Sequence, residues 1–271
     1  MHNRLLNEQV ASTATFAKDD RIFLGEGLFE TLKVVNEKPC FAASHWQRMA
    51  DAARQLGIPF DWSFAEWHEA LIQQLKRDEL CHGGIKVILS GGSAPRGLAE
   101  HGQMSQLLLQ TFNYTAQTHP LKLLSAPWLR DAANPVYQLK SVNYLEAVLA
   151  RRQALACGAD DALFFNMQHC ATDTTCANIF VITNNKLVTP PLSDGVLPGI
   201  TRSRVIDYCR QHHISCLEQS ITKPMIESSD LVFTTNALQG IRLVASLDDR
   251  LFQLEHLLVE QLILELCHHG R

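Results

Sequence analysis

The chain has 271 residues, of which 46% are hydrophobic and 19% charged, enough for one large core or two modest ones. A formal charge of −4 with no Lys/Arg run argues against a protein that tracks a nucleic-acid backbone. No run reaches the roughly 18 apolar residues of a membrane span. The first twenty residues lack a secretory apolar region, so a cytoplasmic protein off the membrane is expected.

In chain order, a first strand is expected over residues 29–35 (FETLKVV), turning at Asn36-Glu37-Lys38 into Cys40-Phe41. Residues 44–57 read as a helix. Ser44 and Gln47 have capping-box spacing, Trp46, Met49, Ala53 and Leu56 form an apolar stripe, and Gly57 ends it. Residues 63–78 repeat the pattern, with Ser63 and Glu66 as the box and Phe64, Trp67, Leu71 and Leu75 as the stripe. Strands at 85–90 and 105–112 flank a glycine-rich stretch, 91–97 (GGSAPRG). The polar segment 113–120 is the expected linker between an N-terminal α+β domain, 1–112, and a C-terminal domain, 121–271.

Beyond it, strands are expected at 121–128 and 137–139, then a helix over 145–156. Strands follow at 162–167 and 178–183, the latter turning through Asn184-Asn185 into 186–190. Pro198 is placed at the first position of a helix running to about His213. Strands at 231–235 and 241–247 and a helix from Gln253 complete the chain. Strand runs mixed with separate helices, without strict alternation, predict an α+β fold.

Few residues stand out for chemistry. The eight cysteines are scattered, with no C-x-x-C pair, and read as reduced, mostly buried thiols. His212-His213 and His268-His269 are adjacent pairs whose side chains diverge on a helix, so no metal site is expected. Gly25-x-Gly27 lacks the third glycine of a dinucleotide site. Lys140 is different, because it falls at an element boundary just before a helix. A lysine amine held rigidly there can form a Schiff base if its surroundings favour the neutral form. A pyridoxal phosphate site would also need a phosphate cradle, a carboxylate for the ring nitrogen and a support for the ring. Residues 195–204 (GVLPGITRSR) offer a helix N-terminus, with the amides of Ile200 and Thr201 as donors. Arg48 could add a bidentate guanidinium, and Asp173, in a polar, small-residue loop between two apolar strands, the carboxylate. Each alone has an ordinary explanation: a solvated lysine or arginine, a well-made helix start, a turn-forming aspartate.

Together and in this order they resemble the fold-type IV pyridoxal-phosphate enzymes, the class-IV aminotransferase family. The matched blocks are 25-GEGLFETLKV-34, His45-x-x-Arg48, 140-KSVNYL-145, 172-TDTTCANIF-180 and 198-PGITR-202. The resemblance implies a smaller α+β N-terminal domain and a larger barrel-like C-terminal domain with the cofactor lying between them. It also implies a homodimer acting on a small molecule. In it Lys140 carries the Schiff base, Arg48, Ile200 and Thr201 hold the phosphate, and Asp173 faces the pyridine nitrogen where the family usually has glutamate. Asn236 would contact cofactor or substrate.

The family contains aminodeoxychorismate lyases as well as branched-chain and D-amino-acid aminotransferases. Three positions resemble the lyases: Thr31, the Arg96-Gly97 pair followed by Leu98 rather than histidine, and 235-TNALQG-240. By that resemblance the protein converts 4-amino-4-deoxychorismate to 4-aminobenzoate and pyruvate. Lys140 would be the general base, Thr31 the proton donor to the leaving oxygen, and Arg96 a substrate-carboxylate ligand. An aminotransferase using the same Lys140, Arg48 and Asp173 is the alternative. A family-derived binding protein without turnover is a more distant one, prompted by the shorter Asp173.

Overall fold

The computed structural model describes residues 4, 5 and 16–267. Most of the first fifteen residues, and the His268-His269 pair, lie outside the described residues. Among the described residues the chain forms two units. One runs to Thr115 and takes in Leu139–Asn143; the other comprises Ala116–Gln138 and the chain from Tyr144 onward.

The first unit is a five-stranded antiparallel sheet under two helices. Its elements are β1 (Arg4–Leu5), β2 (Gly27–Val35), β3 (Lys38–Pro39), α1 (Ala42–Leu56), α2 (Phe64–Arg77), β4 (His82–Ser90) and β5 (Leu107–Phe112). They lie in the order β1-β5-β4-β2-β3. Period-two alternation sends Leu28, Leu32 and Val34 of β2 and Ile85, Val87 and Leu89 of β4 to one face. There they pack with Met49 and Ala53 of α1 and Trp67, Leu71 and Leu75 of α2. Each of the fully buried large side chains contributes about 1.5–3 kcal/mol of transfer free energy. The capping box of α2 forms as the sequence predicts, with Ser63 and Glu66 bonding each other's backbone amides. That of α1 does not. The Cys40 amide is tied to Lys33 O at 2.8 Å, so the chain turns at Phe41, in a left-handed conformation, and the helix begins before Ser44 can cap it.

The second unit is built on a closed barrel. Its elements are β6 (Leu121–Arg130), α3 (Leu145–Ala156), β7 (Asp161–Asn166), β8 (Ala171–Thr174), β9 (Asn178–Thr183), β10 (Lys186–Thr189), α4 (Ile200–Gln211), β11 (Cys216–Glu218), α5 (Lys223–Glu227), β12 (Leu231–Asn236), β13 (Gly240–Leu247), β14 (Arg250–Leu251) and α6 (Leu257–Cys267). Six strands run β9-β12-β13-β6-β7-β8, and a β8–β9 pairing closes the ring. Leu123, Phe165, Ala171, Val181, Val232 and Val244 come one from each of these strands and share one cluster, the barrel interior. The alternate residues Phe180, Ile182, Leu231 and Phe233 pack outward against Val205 and Cys209 of α4 and Val259 and Leu262 of α6. The α+β expectation therefore holds, with a small sheet and a six-stranded barrel.

Several local expectations differ. Residues 137–139 are not a strand. Asn134 accepts from the Val136 amide, and Pro135–Gln138 forms a 3-10 turn. Pro198 precedes the helix instead of opening it, since Gly199 is the N-cap of α4. Asp173 lies on a buried strand, β8, because the Ala171 amide bonds Ile221 O and the segment pairs with β7 and β9. The last helix begins at Leu257, since β14 pairs with β13 and Gln253 bridges Leu231. No helix among the described residues is long and apolar enough to cross a membrane.

Candidate active site

In the first unit, the segment carrying Lys140 is laid against β2. The Phe29 amide bonds Lys140 O at 2.9 Å and the Val142 amide bonds Gly27 O at 3.0 Å. Asn143 donates to Gly25 O at 2.8 Å, and a Cβ on Gly25 would stand 2.2 Å from Asn143 Oδ1. The G-E-G and K-S-V-N blocks are thus one interlocked piece of backbone. Alternation along β2 puts Phe29 and Thr31 on the face opposite the helices. The Lys140 ammonium lies 4.4 Å from the Phe29 ring centre, and that of Lys86 on β4, across from Thr31, lies 4.6 Å from it. Burial depresses the Lys86 amine below its usual range.

Glu30, on the other face of β2, is fully buried and meets α1. Its carboxylate accepts from Arg48 Nε at 2.8 Å and Nη2 at 2.7 Å, and from His45 Nδ1 at 2.6 Å. Burial opposes its charge, but Arg48 and His45 outweigh burial and hold it down to about 2. Burial pushes His45 below its usual range despite Glu30. A neutral His45 donating its Nδ1–H as a hydrogen bond to an ionised Glu30 leaves a lone pair on Nε2, which is buried with no partner among the described residues.

In the second unit, Asp173 and Asn178 face each other across β8 and β9, and both hold Leu197. Asp173 Oδ2 accepts from the Leu197 amide at 3.2 Å, and Asn178 Nδ2 donates to Leu197 O at 2.9 Å. That fixes the loop delivering the free amides of α4. Gly199 is required there, because a Cβ would stand 1.9 Å from Asn178 Oδ1. Ile200 and Thr201 at the helix start are buried. Thr235 follows Phe233 on the β12 face that packs toward α4, and its buried hydroxyl has no hydrogen-bond partner among the described residues. An orphaned buried hydroxyl and a close-approach glycine at a helix start are what a bound phosphate would use, so the residues present fit pyridoxal phosphate. Arg202 of the same block is structural, donating to Pro190 O and Glu218.

The sequence-predicted residues therefore fall into two groups. Lys140, Thr31 and Arg48 lie in the first unit, and Asp173, Ile200 and Thr201 lie together in the second. Arg48 is engaged by Glu30. Arg96 stands on an exposed loop anchored by Arg21 donating to Gly97 O at 3.2 Å. Asn236 uses its oxygen to cap its own turn, accepting from Leu238 and Gln239, and lines a cavity with Arg151, Gln239 and Arg242. Sequence reasoning missed Lys86, Thr235 and Arg130. Lys86 was legible as the one charge inside an apolar strand. Arg130 and Thr235 give no such signal. Among the described residues no cluster could hold a metal ion, and the expectation of mostly buried cysteines fails, since only Cys40 and Cys209 are buried while Cys81, Cys157 and Cys176 are exposed.

The family pattern described as Amino-transferase class IV matches residues 27–247. A solved structure from Legionella pneumophila, assigned provisionally as a 4-amino-4-deoxychorismate lyase, is 61% identical with a TM-score of 0.92, covering 93% of this chain and 94% of its own. The aminodeoxychorismate lyase of Vibrio harveyi is 28% identical, over 84% of this chain and 86% of its own. The D-alanine aminotransferase of Bacillus licheniformis is 26% identical, over 83% and 80% respectively.

Proposed function

The chain belongs to the amino-transferase class IV family, whose members use pyridoxal 5'-phosphate, and we propose that it is the lyase forming 4-aminobenzoate and pyruvate from 4-amino-4-deoxychorismate. The observation that carries this reading is the 61% identity to the Legionella protein. Thr31, Arg96-Gly97-Leu98 and Asn236-Ala237-Leu238 support it from the sequence.

When bound, the cofactor supplies a protonated ring that accepts the electron pair released at the amine-bearing carbon of the substrate. Lys140 Nζ takes the proton from that carbon. Asp173 holds the proton on the ring nitrogen, keeping the positive charge where it draws electrons. The Thr31 hydroxyl relays to the ether oxygen the proton that Lys140 has taken, as the ring C–O bond breaks and the enolpyruvyl group leaves with that electron pair to become pyruvate. Loss of the side chain leaves an aromatic ring, which drives the step. Arg96 and Lys86 bind the substrate carboxylates, Lys86 because it faces the same side of the sheet as Thr31 and Phe29. The amides of Ile200 and Thr201, the Thr235 hydroxyl and Arg48 would hold the cofactor's phosphate, and Asn236 would hydrogen-bond substrate or cofactor. The homodimer belongs to the same reading, and sedimentation would check it.

The test is discrimination from an aminotransferase. With D-alanine or branched-chain amino acids plus 2-oxoglutarate, the loaded protein should form no new oxo acid at a rate matching its 4-aminobenzoate production. Rapid oxo-acid formation would replace the lyase reading with transamination.

A further inference from the structure

Asp173 is one methylene shorter than the glutamate usual in its family, and both of its oxygens are already engaged. Arg130 Nη1 donates to Oδ1 at 2.6 Å, and the Leu197 amide donates to Oδ2. Arg130, at the end of β6, has a second acid. Its Nε donates to Glu146 Oε2 at 2.9 Å. The guanidinium is packed 3.4 Å from the Phe164 ring centre and 4.7 Å from that of Tyr137, which leaves it little freedom. Glu146, in the first turn of α3, accepts in addition from Trp128 Nε1 at 3.0 Å and the Tyr137 hydroxyl at 3.4 Å. Burial and Glu146 push the Tyr137 hydroxyl up, so it stays a neutral donor, and Asp131 is the other charged group close by.

One cation is therefore shared between two carboxylates, and the trio keeps one net negative charge. An arginine paired with Asp173 alone would cancel the charge that a protonated ring nitrogen needs. Building on the cofactor reading above, we infer that Glu146 is a positioning residue for Asp173, acting through Arg130: it takes up part of the guanidinium's charge, so that Asp173, still bonded to Arg130 and Leu197, keeps negative charge to hold a proton on the ring nitrogen. The same clamp compensates for the short side chain, since Arg130, fixed by two rings and a second acid, fixes Asp173 in turn. Neither Glu146 nor Arg130 touches the reacting atoms.

The test is a pH titration of the holoenzyme loaded with pyridoxal phosphate carrying 15N in its ring, followed by NMR. Glu146→Gln keeps the shape and removes the charge, and it should lower the proton affinity of the ring nitrogen by about one pH unit. Arg130→Met should move it the opposite way, by a similar amount. A cluster that only propped up the fold would move both in the same direction or neither, and either result would overturn the inference. If Arg130→Met fails to fold, Glu146→Gln decides alone, with an unshifted nitrogen as the contrary result. A wild-type protein that takes up no pyridoxal phosphate would overturn the functional reading and this inference together. Uptake with no shift in Glu146→Gln would overturn this inference alone.

Discussion

Replacing Glu30 by glutamine isolates the buried ion cluster of the first unit. The carboxylate receives three short hydrogen bonds, two from Arg48 and one from His45, and the substitution leaves Arg48 without its counter-charge. A carboxyl held at about 2 instead of 4.5 corresponds to about 3 kcal/mol of stability, matching the usual cost of breaking a buried pair. Because the folded-state value is depressed, this stability is fully present above about pH 4.5 and is lost as pH falls toward 2. Urea unfolding followed by tryptophan fluorescence suits the question, since Trp46, Trp62 and Trp67 all lie in the first unit. At pH 7 the glutamine variant should be less stable by about 3 kcal/mol, and at pH 3.5 the gap should be roughly 1 kcal/mol smaller, because part of the wild-type advantage has been titrated away. A gap of the same size at both pH values would refute the assignment of a buried, ionised Glu30.

Two further substitutions separate stability from binding. Ser63→Ala removes the α2 capping box and should cost about 1 kcal/mol in the same urea experiment, with no change in cofactor uptake. Thr235→Val removes a buried hydroxyl that has no hydrogen-bond partner among the described residues, so without cofactor the variant should be as stable as wild type or slightly more so. Its affinity for pyridoxal phosphate, measured by fluorescence titration, should fall by about tenfold or more, the loss of one hydrogen bond to a charged group.

How much of this was legible in the sequence depends on whether the deciding physics was local. The α2 cap and the Gly57 terminator were readable because nearest-neighbour hydrogen bonds settle them, and α3 because nearly all of its residues favour a helix. Phe41 as the N-cap of α1 and the strand character of 171–174 were not, because backbone hydrogen bonds outside the local pattern decide them, Cys40 to Lys33 in the first case and 171–174 to β7, β9 and Ile221 in the second. The same division holds at the site. Lys140, Asp173, Ile200 and Thr201 sit in recognisable blocks. Arg130 and Thr235 acquire meaning only through Asp173, Glu146 and the face of α4, which no local pattern encodes. Arg48 was legible as a candidate, but its bond to Glu30 was not, since eighteen residues separate them.

The central claim, that one lysine amine drives aromatisation of the substrate, is tested most directly by release of 4-aminobenzoate. The protein would be loaded with pyridoxal phosphate and supplied with aminodeoxychorismate by a coupled synthase. Wild type should release 4-aminobenzoate and pyruvate in equal amounts, and Lys140→Ala, folded by circular dichroism, should release neither above background. Undiminished release from Lys140→Ala, or none from the loaded wild type, would contradict the account.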